Sequence, residues 1–293
     1  MRASLLQIAV NAEETVEARR ERVAALVRDQ AGSGLVVLPE LWPTGAFAYD
    51  LFEEYAETLD GPTVTAMAAA AADASVWLHA GSVVERAPDG TLYNTSVVLG
   101  PDGGLRASYR KIHRFGFDKG EAAMMGGGEE IATVRLPDSG TGTVAGTETE
   151  TGPDTDTDTE PGTVAGLATC YDLRFPEQFR RLTDAGAELL VIPAGWPARR
   201  REHWTLLARA RAVENQAYVL ACCSAGTHGG VEQAGHSRII DPWGEVIAEA
   251  GEDEEILTAD LDLSRVAKTR ADFPVLRDRV LGLPDPRPGA RDA

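Results

Sequence analysis

Three side chains in this sequence have types and settings that could cut an acyl bond: Cys170, Glu40 and Lys111. Cys170 follows an apolar stretch, residues 164–168, that reads as a buried strand, and it precedes Phe175-Pro176-Glu177, which reads as a helix start. At such a corner, free N–H groups and the positive end of a helix favour a thiolate and any oxyanion it generates. A free cysteine is also a common buried apolar residue, so position alone leaves a structural reading open. Glu40 stands in Leu38-Pro39-Glu40-Leu41-Trp42, at the C-terminal end of an apolar strand, where α/β sheets place ligand-binding groups. Apolar and aromatic neighbours there would raise its pKa toward that of a general base; the alternative is a solvated loop carboxylate. Lys111, in Tyr109-Arg110-Lys111-Ile112-His113, could hold a thiolate and stabilise a tetrahedral oxyanion, or be an ordinary strand-end lysine on the surface.

Lysine is scarce here: Lys111, Lys119 and Lys268 are the only three among 28 basic residues. A guanidinium cannot readily release its proton or act as a compact point charge, which points at a specific use for Lys111. The formal net charge of -18, from 28 Lys+Arg against 46 Asp+Glu, argues against nucleic acid and anionic membranes as partners. No apolar run approaches the roughly 18 residues of a membrane span. Residues 1–10 are too short before Glu13-Glu14 to be a signal-peptide core, so a cytoplasmic protein is expected. The three cysteines are odd in number, with Cys222-Cys223 adjacent, and form neither a disulfide framework nor a Cys-x-x-Cys zinc pair. His79, His113, His203, His228 and His236 show no metal-binding spacing, so no metal is expected.

The elements that must position these residues alternate short apolar strands with helical patterns. Strands are predicted at 4–10, 34–38, 76–85, 92–99, 106–110, 164–168, 189–193 and 218–223. Helices are predicted at 14–30, 61–73, 176–184 and 201–215, and a hairpin is centred on Asp241-Pro242-Trp243-Gly244-Glu245. This mixture of βα units and hairpins predicts a mixed sheet in one layered α/β sandwich domain. Residues 139–161 break the pattern, being acidic without apolar periodicity, and read as disordered or as a surface loop. Gly142-Thr143-Val144-Ala145-Gly146 recurs 20 residues later as Gly162-Thr163-Val164-Ala165-Gly166, which reads as a tandem insertion feeding the Cys170 strand. Without it, Leu136-Pro137-Asp138 would lead into that strand as a short hairpin. The Pro-rich end, residues 281–293, is expected to be a flexible tail.

Taken together, Leu38-Pro39-Glu40-Leu41, Tyr109-Arg110-Lys111-Ile112-His113 and Thr169-Cys170-Tyr171-Asp172-Leu173-Arg174-Phe175-Pro176-Glu177 resemble the nitrilase superfamily of carbon–nitrogen hydrolases. They fall in that family's Glu, Lys, Cys order. His203-Trp204, residues 209–216, Gly235-His236-Ser237 and Asp241-Pro242-Trp243-Gly244-Glu245-Val246 extend the likeness over nearly all of residues 3–280. The resemblance implies an α/β fold, a four-layer α-β-β-α sandwich with mixed sheets, as one domain over residues 1–280. It also implies a homodimer or higher homo-oligomer joined through helices, and a site free of cofactors. Carried over, Glu40 is the general base, Cys170 the nucleophile and Lys111 the oxyanion stabiliser. Glu121, in Gly120-Glu121-Ala122, matches the family's second glutamate, with Glu130 in that position or a surface role for Glu121 as the alternatives. The reaction implied is hydrolysis of a small amide to acid and ammonia through a Cys170 thioester, with the backbone N–H of Tyr171 helping to hold the oxyanion.

The run Cys170-Tyr171-Asp172-Leu173-Arg174-Phe175 looks like the ω-amidase and deaminated-glutathione-amidase branch, not the Cys-Trp-Glu of nitrilases or the Cys-Asn-Asp-Arg of carbamoylases. Substrates of that branch carry a carboxylate at the far end, which calls for a cation. Arg174 and the run Arg199-Arg200-Arg201 are candidates, with a helix start and a solvated helix face as their structural alternatives. Trp196, Tyr49 and Phe115 are candidate pocket walls, although aromatics also fill cores. His203 is expected to orient a glutamate or to support packing beneath Trp204. Nitrile or carbamoyl hydrolysis, and a catalytically silent binding protein, are the competing readings.

Overall fold

The computed structural model describes residues 1–137 and 162–281. The expectations for residues 139–161 and for the tail fall outside the described residues, Leu281 apart. The first half supplies β1 (Arg2–Gln7), α1 (Val16–Arg28), β2 (Leu35–Val37), α2 (Pro62–Ala74), β3 (Trp77–Arg86), β4 (Leu92–Leu99), β5 (Leu105–Arg110) and the short α3 (Glu121–Met124). The second half supplies β6 (Ala132–Pro137), β7 (Gly162–Leu167), α4 (Pro176–Asp184), β8 (Leu189–Ala194), α5 (Arg201–Asn215) and β9 (Tyr218–Cys223). It continues with β10 (Thr227–His228), β11 (Val231–Glu232), β12 (Arg238–Ile240), β13 (Val246–Glu249), β14 (Glu255–Asp260) and α6 (Ser264–Asp272).

Two six-stranded sheets result, in the orders β14-β1-β2-β3-β4-β5 and β13-β12-β9-β8-β7-β6. Each has a parallel centre, β1-β2-β3 and β7-β8-β9, with antiparallel strands outside it. Period-two alternation explains how each sheet is covered on both faces. In β9, Tyr218, Leu220 and Cys222 face the inter-sheet core with Leu5, Leu35, Val37 and Val191, while Val219, Ala221 and Cys223 face helices. Helices α1 and α2 cover the first sheet through Val23, Val27, Met67 and Ala71, and α4 and α5 cover the second through Phe179, Leu182, Trp204 and Ala208. The layers are therefore α-β-β-α. Each fully buried Leu, Val or Phe in these three layers of contact contributes about 1.5–3 kcal/mol.

Sequence periodicity missed the β10–β11 hairpin, β14 and α6. Strand β14 buries only Leu257 fully, and α6 buries only Val266 and Thr269, so neither carries a legible apolar period. The arrangement places the C-terminal ends of β2, β7 and β8 together, beside the end of β5. Ligand sites of open α/β sheets form at such ends.

Candidate active site

Cys170 is the first residue of a short 3-10 helix, Cys170–Arg174, and its φ of 47° lies in the left-handed region. A non-glycine residue is held there only by surrounding structure. Asp172 provides it. Fully buried, its carboxylate accepts from Thr169 N (2.8 Å), Tyr109 Oη (2.7 Å) and His113 N (3.0 Å), and lies 2.8 Å from His113 Nδ1. Thr169 and Asp172 also form a capping box around the elbow. Burial and the Asp172 carboxylate raise the Tyr109 pKa, so it donates as a phenol. Tyr109 Oη in turn accepts from Gln178 Nε2 (2.8 Å) and Ile112 N (3.1 Å), and the His113 ring stacks on Phe175 at 3.7 Å. One carboxylate thus ties the cysteine elbow to the strand end that carries Lys111.

Lys111 is 2 % exposed, and its Nζ donates to Glu40 Oε1 at 2.6 Å and to Glu121 Oε2 at 2.7 Å. Asn94, on β4, bridges the same two carboxylates, donating through Nδ2 to Oε1 of each at 2.8 Å. Gly195 N donates to Glu40 Oε2 (2.8 Å) and Phe115 N to Glu121 Oε2 (2.9 Å). Glu40 is desolvated as its sequence setting suggests, but it is met by three donors as well as apolar walls. Leu41 beside it, at φ 43°, is fixed by its N–H donating to Ser82 Oγ at 2.9 Å. Glu121 is buried in contact with Lys111, whereas Glu130 is exposed.

The electrostatics correct one expectation. Burial opposes a charge on Lys111, but the adjacent Glu121 and Glu40 carboxylates outweigh it and hold the ammonium well above its usual pKa. Burial raises Glu121, with Lys111 opposing. Cys170 moves up, not down: burial, and then the neighbouring Glu40 carboxylate, push its thiol well above the ordinary value, with Lys111 only partly opposing. The helix-end effect is too weak against desolvation and a carboxylate at contact, so the resting cysteine is a thiol. Its Sγ lies 3.8 Å from Gly195 O.

These groups head a cleft of about 410 Å³. Glu40, Lys111, Glu121 and Cys170 line it, together with Tyr171, Arg174, Trp196, Phe115 and Tyr49. His203 does not: it is exposed, contacts neither glutamate, and sits 3.2 Å from Arg174 through Nδ1. Among the described residues its contact is with Arg174, not with the glutamate it was expected to orient. Arg174 lies over the Trp196 ring (4.8 Å) and Arg200 over Phe115 (5.1 Å), while Arg201 pairs with Glu252 instead. Sequence reasoning missed Asn94 and Phe47. Phe47 lines the cleft because β10–β11 clamps it, with Phe47 N donating to His228 Nδ1 at 3.4 Å and the rings stacked at 5.8 Å. Among the described residues no group of three or more His, Cys, Asp or Glu could hold a metal ion.

An α-β-β-α sandwich with a buried Cys, Lys and Glu at its strand ends, and a second buried Glu on α3, defines a class, and the family comparison agrees. The chain belongs to the carbon–nitrogen hydrolase family, which matches residues 2–271. It is 40% identical to a 2-oxoglutaramate amidase of Paenarthrobacter nicotinovorans over 277 residues, covering 94% of this chain and 87% of that protein. It is 36% identical to the human omega-amidase NIT2 over 269 residues, covering 88% of each. Among solved structures, a CN-hydrolase superfamily protein from Xanthomonas campestris, with an arsenic adduct in its active site, superposes with a TM-score of 0.82. The two share 30% identity over 97% of this chain and 98% of that one.

Proposed function

We propose that this hydrolase releases ammonia from a small amide whose far end carries a carboxylate, through a thioester on Cys170. The observation that carries the reading is Lys111 clasped between Glu40 and Glu121 beside the Cys170 thiol, at the head of a cleft that also holds Arg174 and Arg200. The names of the amidase relatives above support the substrate class. Glu40 Oε1 accepts from both Lys111 and Asn94, whereas among the described residues Oε2 accepts from the single donor Gly195 N, so Oε2 is the atom assigned to take the thiol proton. Because the thiol pKa is raised, proton transfer accompanies attack on the amide carbonyl instead of preceding it. Lys111 and the Tyr171 N–H, one of the first-turn N–H groups a helix start leaves without an intrahelical acceptor, meet the oxyanion. Glu40 returns the proton to the departing ammonia, and then activates water to hydrolyse the thioester. Arg174 and Arg200 hold the distal carboxylate.

Ammonia release from succinamate, butyramide, simple nitriles and N-carbamoyl amino acids tests this reading. Succinamate should be the best substrate, and Cys170→Ala should be inert. Turnover by Cys170→Ala, or ammonia only from nitriles or carbamoyl compounds, overturns it; ammonia from none points to the silent alternative. The reading includes a cytoplasmic setting, which keeps a nucleophilic thiol reduced. It also includes a homodimer. Leu206 and Val213 lie exposed one heptad apart on α5, and Val213 adjoins Gly244 in the turn where exposed Trp243 stacks on Phe273. Such a continuous apolar patch suits a second copy of the chain.

A further inference from the structure

The cleft opens outward into a wider recess of about 970 Å³, sharing Tyr49, Phe115, Tyr171, Arg174 and Arg200 with it. Two further cations, Lys119 and Arg199, line only this outer part, and among the described residues no acidic side chain lines it. Asp118 is exposed on the same loop but does not face the recess. Among the described residues none of these four cations is ion-paired with a carboxylate, in a chain with 46 acidic side chains. Elsewhere on the surface, Arg22, Arg28, Arg86, Arg106, Arg110 and Arg265 find carboxylates, while the exposed Arg114, Arg181 and Arg209 have no ion pair among the described residues. Inside, Arg174 and Arg200 rest on aromatic faces, which orient a guanidinium without neutralising it. Like charges are crowded together here: burial, then Arg199 and Arg174, lower the Arg200 pKa.

An anionic amide approaching this molecule meets repulsion from a net charge of -18, and at the reacting centre it meets two carboxylates against one ammonium. Attraction must therefore come from the recess. We infer that Lys119 and Arg199 form an outer capture site that concentrates carboxylate-bearing amides at the cleft mouth and makes them the preferred substrates. The inference rests on the proposed amide hydrolysis and deepens it. Capture of this kind acts through charge and distance, not through a fixed hydrogen bond, so it raises kcat/KM by lowering KM and fades as salt shortens the screening length. The effect should also differ between an anionic substrate and a neutral one of the same length.

The experiment compares wild type with the double variant Lys119→Gln, Arg199→Gln, using succinamate and the neutral butyramide at ionic strengths of about 0.02 M and about 0.5 M. At low salt, kcat/KM for succinamate should fall on the order of tenfold in the variant, with kcat kept. At high salt the gap should close to within about twofold, and butyramide should be unaffected at both. The charge-preserving variant Lys119→Arg, Arg199→Lys should behave as wild type. A variant with unchanged succinamate kcat/KM at low salt overturns the inference, as does a loss that persists at high salt or is shared by butyramide. Loss in the charge-preserving pair would replace capture with a specific hydrogen bond and also overturns it. Wild type that hydrolyses butyramide as well as succinamate would instead count against the distal carboxylate itself, so the two failures are distinguishable.

Discussion

Cys170 is a weaker acid than a free cysteine, and in the proposed mechanism it attacks only because Glu40, beside it, takes its proton. This makes opposite predictions for two properties of one variant. Glu40→Gln removes a negative charge that raises the thiol, so the thiolate should form at lower pH, read as ultraviolet thiolate absorbance or as the pH midpoint of iodoacetamide alkylation. Turnover should nevertheless fall by about 10²–10⁴, since the proton carrier is gone. Labelling should be confined to Cys170, because Cys222 and Cys223 are wholly buried. Asn94 does no chemistry in this scheme; it positions both glutamates. Asn94→Ala should lower kcat about 10²-fold with little change in KM, the pattern of misplaced reacting groups. Of these residues, Glu40, Lys111 and Cys170 were legible as residue types at strand ends. Asn94 was not, because a single polar residue within a strand reads the same whether it faces solvent or two buried carboxylates. The acidity of Cys170 was misread for a related reason: sequence shows the helix end but not the carboxylate that tertiary folding brings beside it.

At the scale of elements, the cysteine elbow and the lysine strand end are one unit joined by Asp172. Asp172→Asn replaces an acceptor by an amide donor facing N–H and O–H donors, and should cost about 3 kcal/mol of stability, read as a fall in the urea midpoint, along with kcat. The strands at 92–99 and 218–223 and the helices at 176–184 and 201–215 coincide with their predicted limits, since each carries a full apolar period into a buried layer. The edge strand β14 does not, for the converse reason. The register of β6 and β7 sets Pro137 opposite Gly162, so the chain leaves and re-enters the sheet at adjacent points. Deleting residues 143–162 lets Gly142 take the place of Gly162 and leaves a four-residue connection, a common hairpin length. The shorter loop lowers the closure cost by about 1.5 kcal/mol, so melting temperature and ammonia release should be retained. A large loss of either would show that the insertion contributes to the fold or the site.

Across the whole molecule, two histidines set an acid limit. Burial holds His79 at about 4 and, with Arg19 adding to it, His228 at about 3, and the Nε2 of each is buried without a hydrogen-bond partner among the described residues. Both folded values lie below the unfolded value of about 6.5, so the unfolded chain binds protons first. Stability from these groups is intact above about pH 6.5 and is lost as pH falls toward their folded values, by about 2 kcal/mol per histidine at pH 5. Thermal melts from pH 7.5 to 5 should show this decline, and His79→Gln with His228→Gln should flatten it at some cost at neutral pH. For the proposed dimer, Val213→Asp should shift the sedimentation coefficient to that of a monomer. The layered architecture was readable because both sheets bury two faces. The patch on α5 was not, since exposed Leu206 and Val213 break no sequence pattern.

The two halves of the chain do not own one sheet each. Strand β14, from the late half, closes the early half's sheet against β1, and the cleft takes Glu40 and Lys111 from one half and Cys170 from the other. A backbone cut between residues 137 and 162 would therefore yield two inert fragments, each lacking something only its counterpart supplies. Fused to a pair of interacting proteins, such fragments would make a complementation reporter whose output is ammonia, silent until the borrowed strand is handed back.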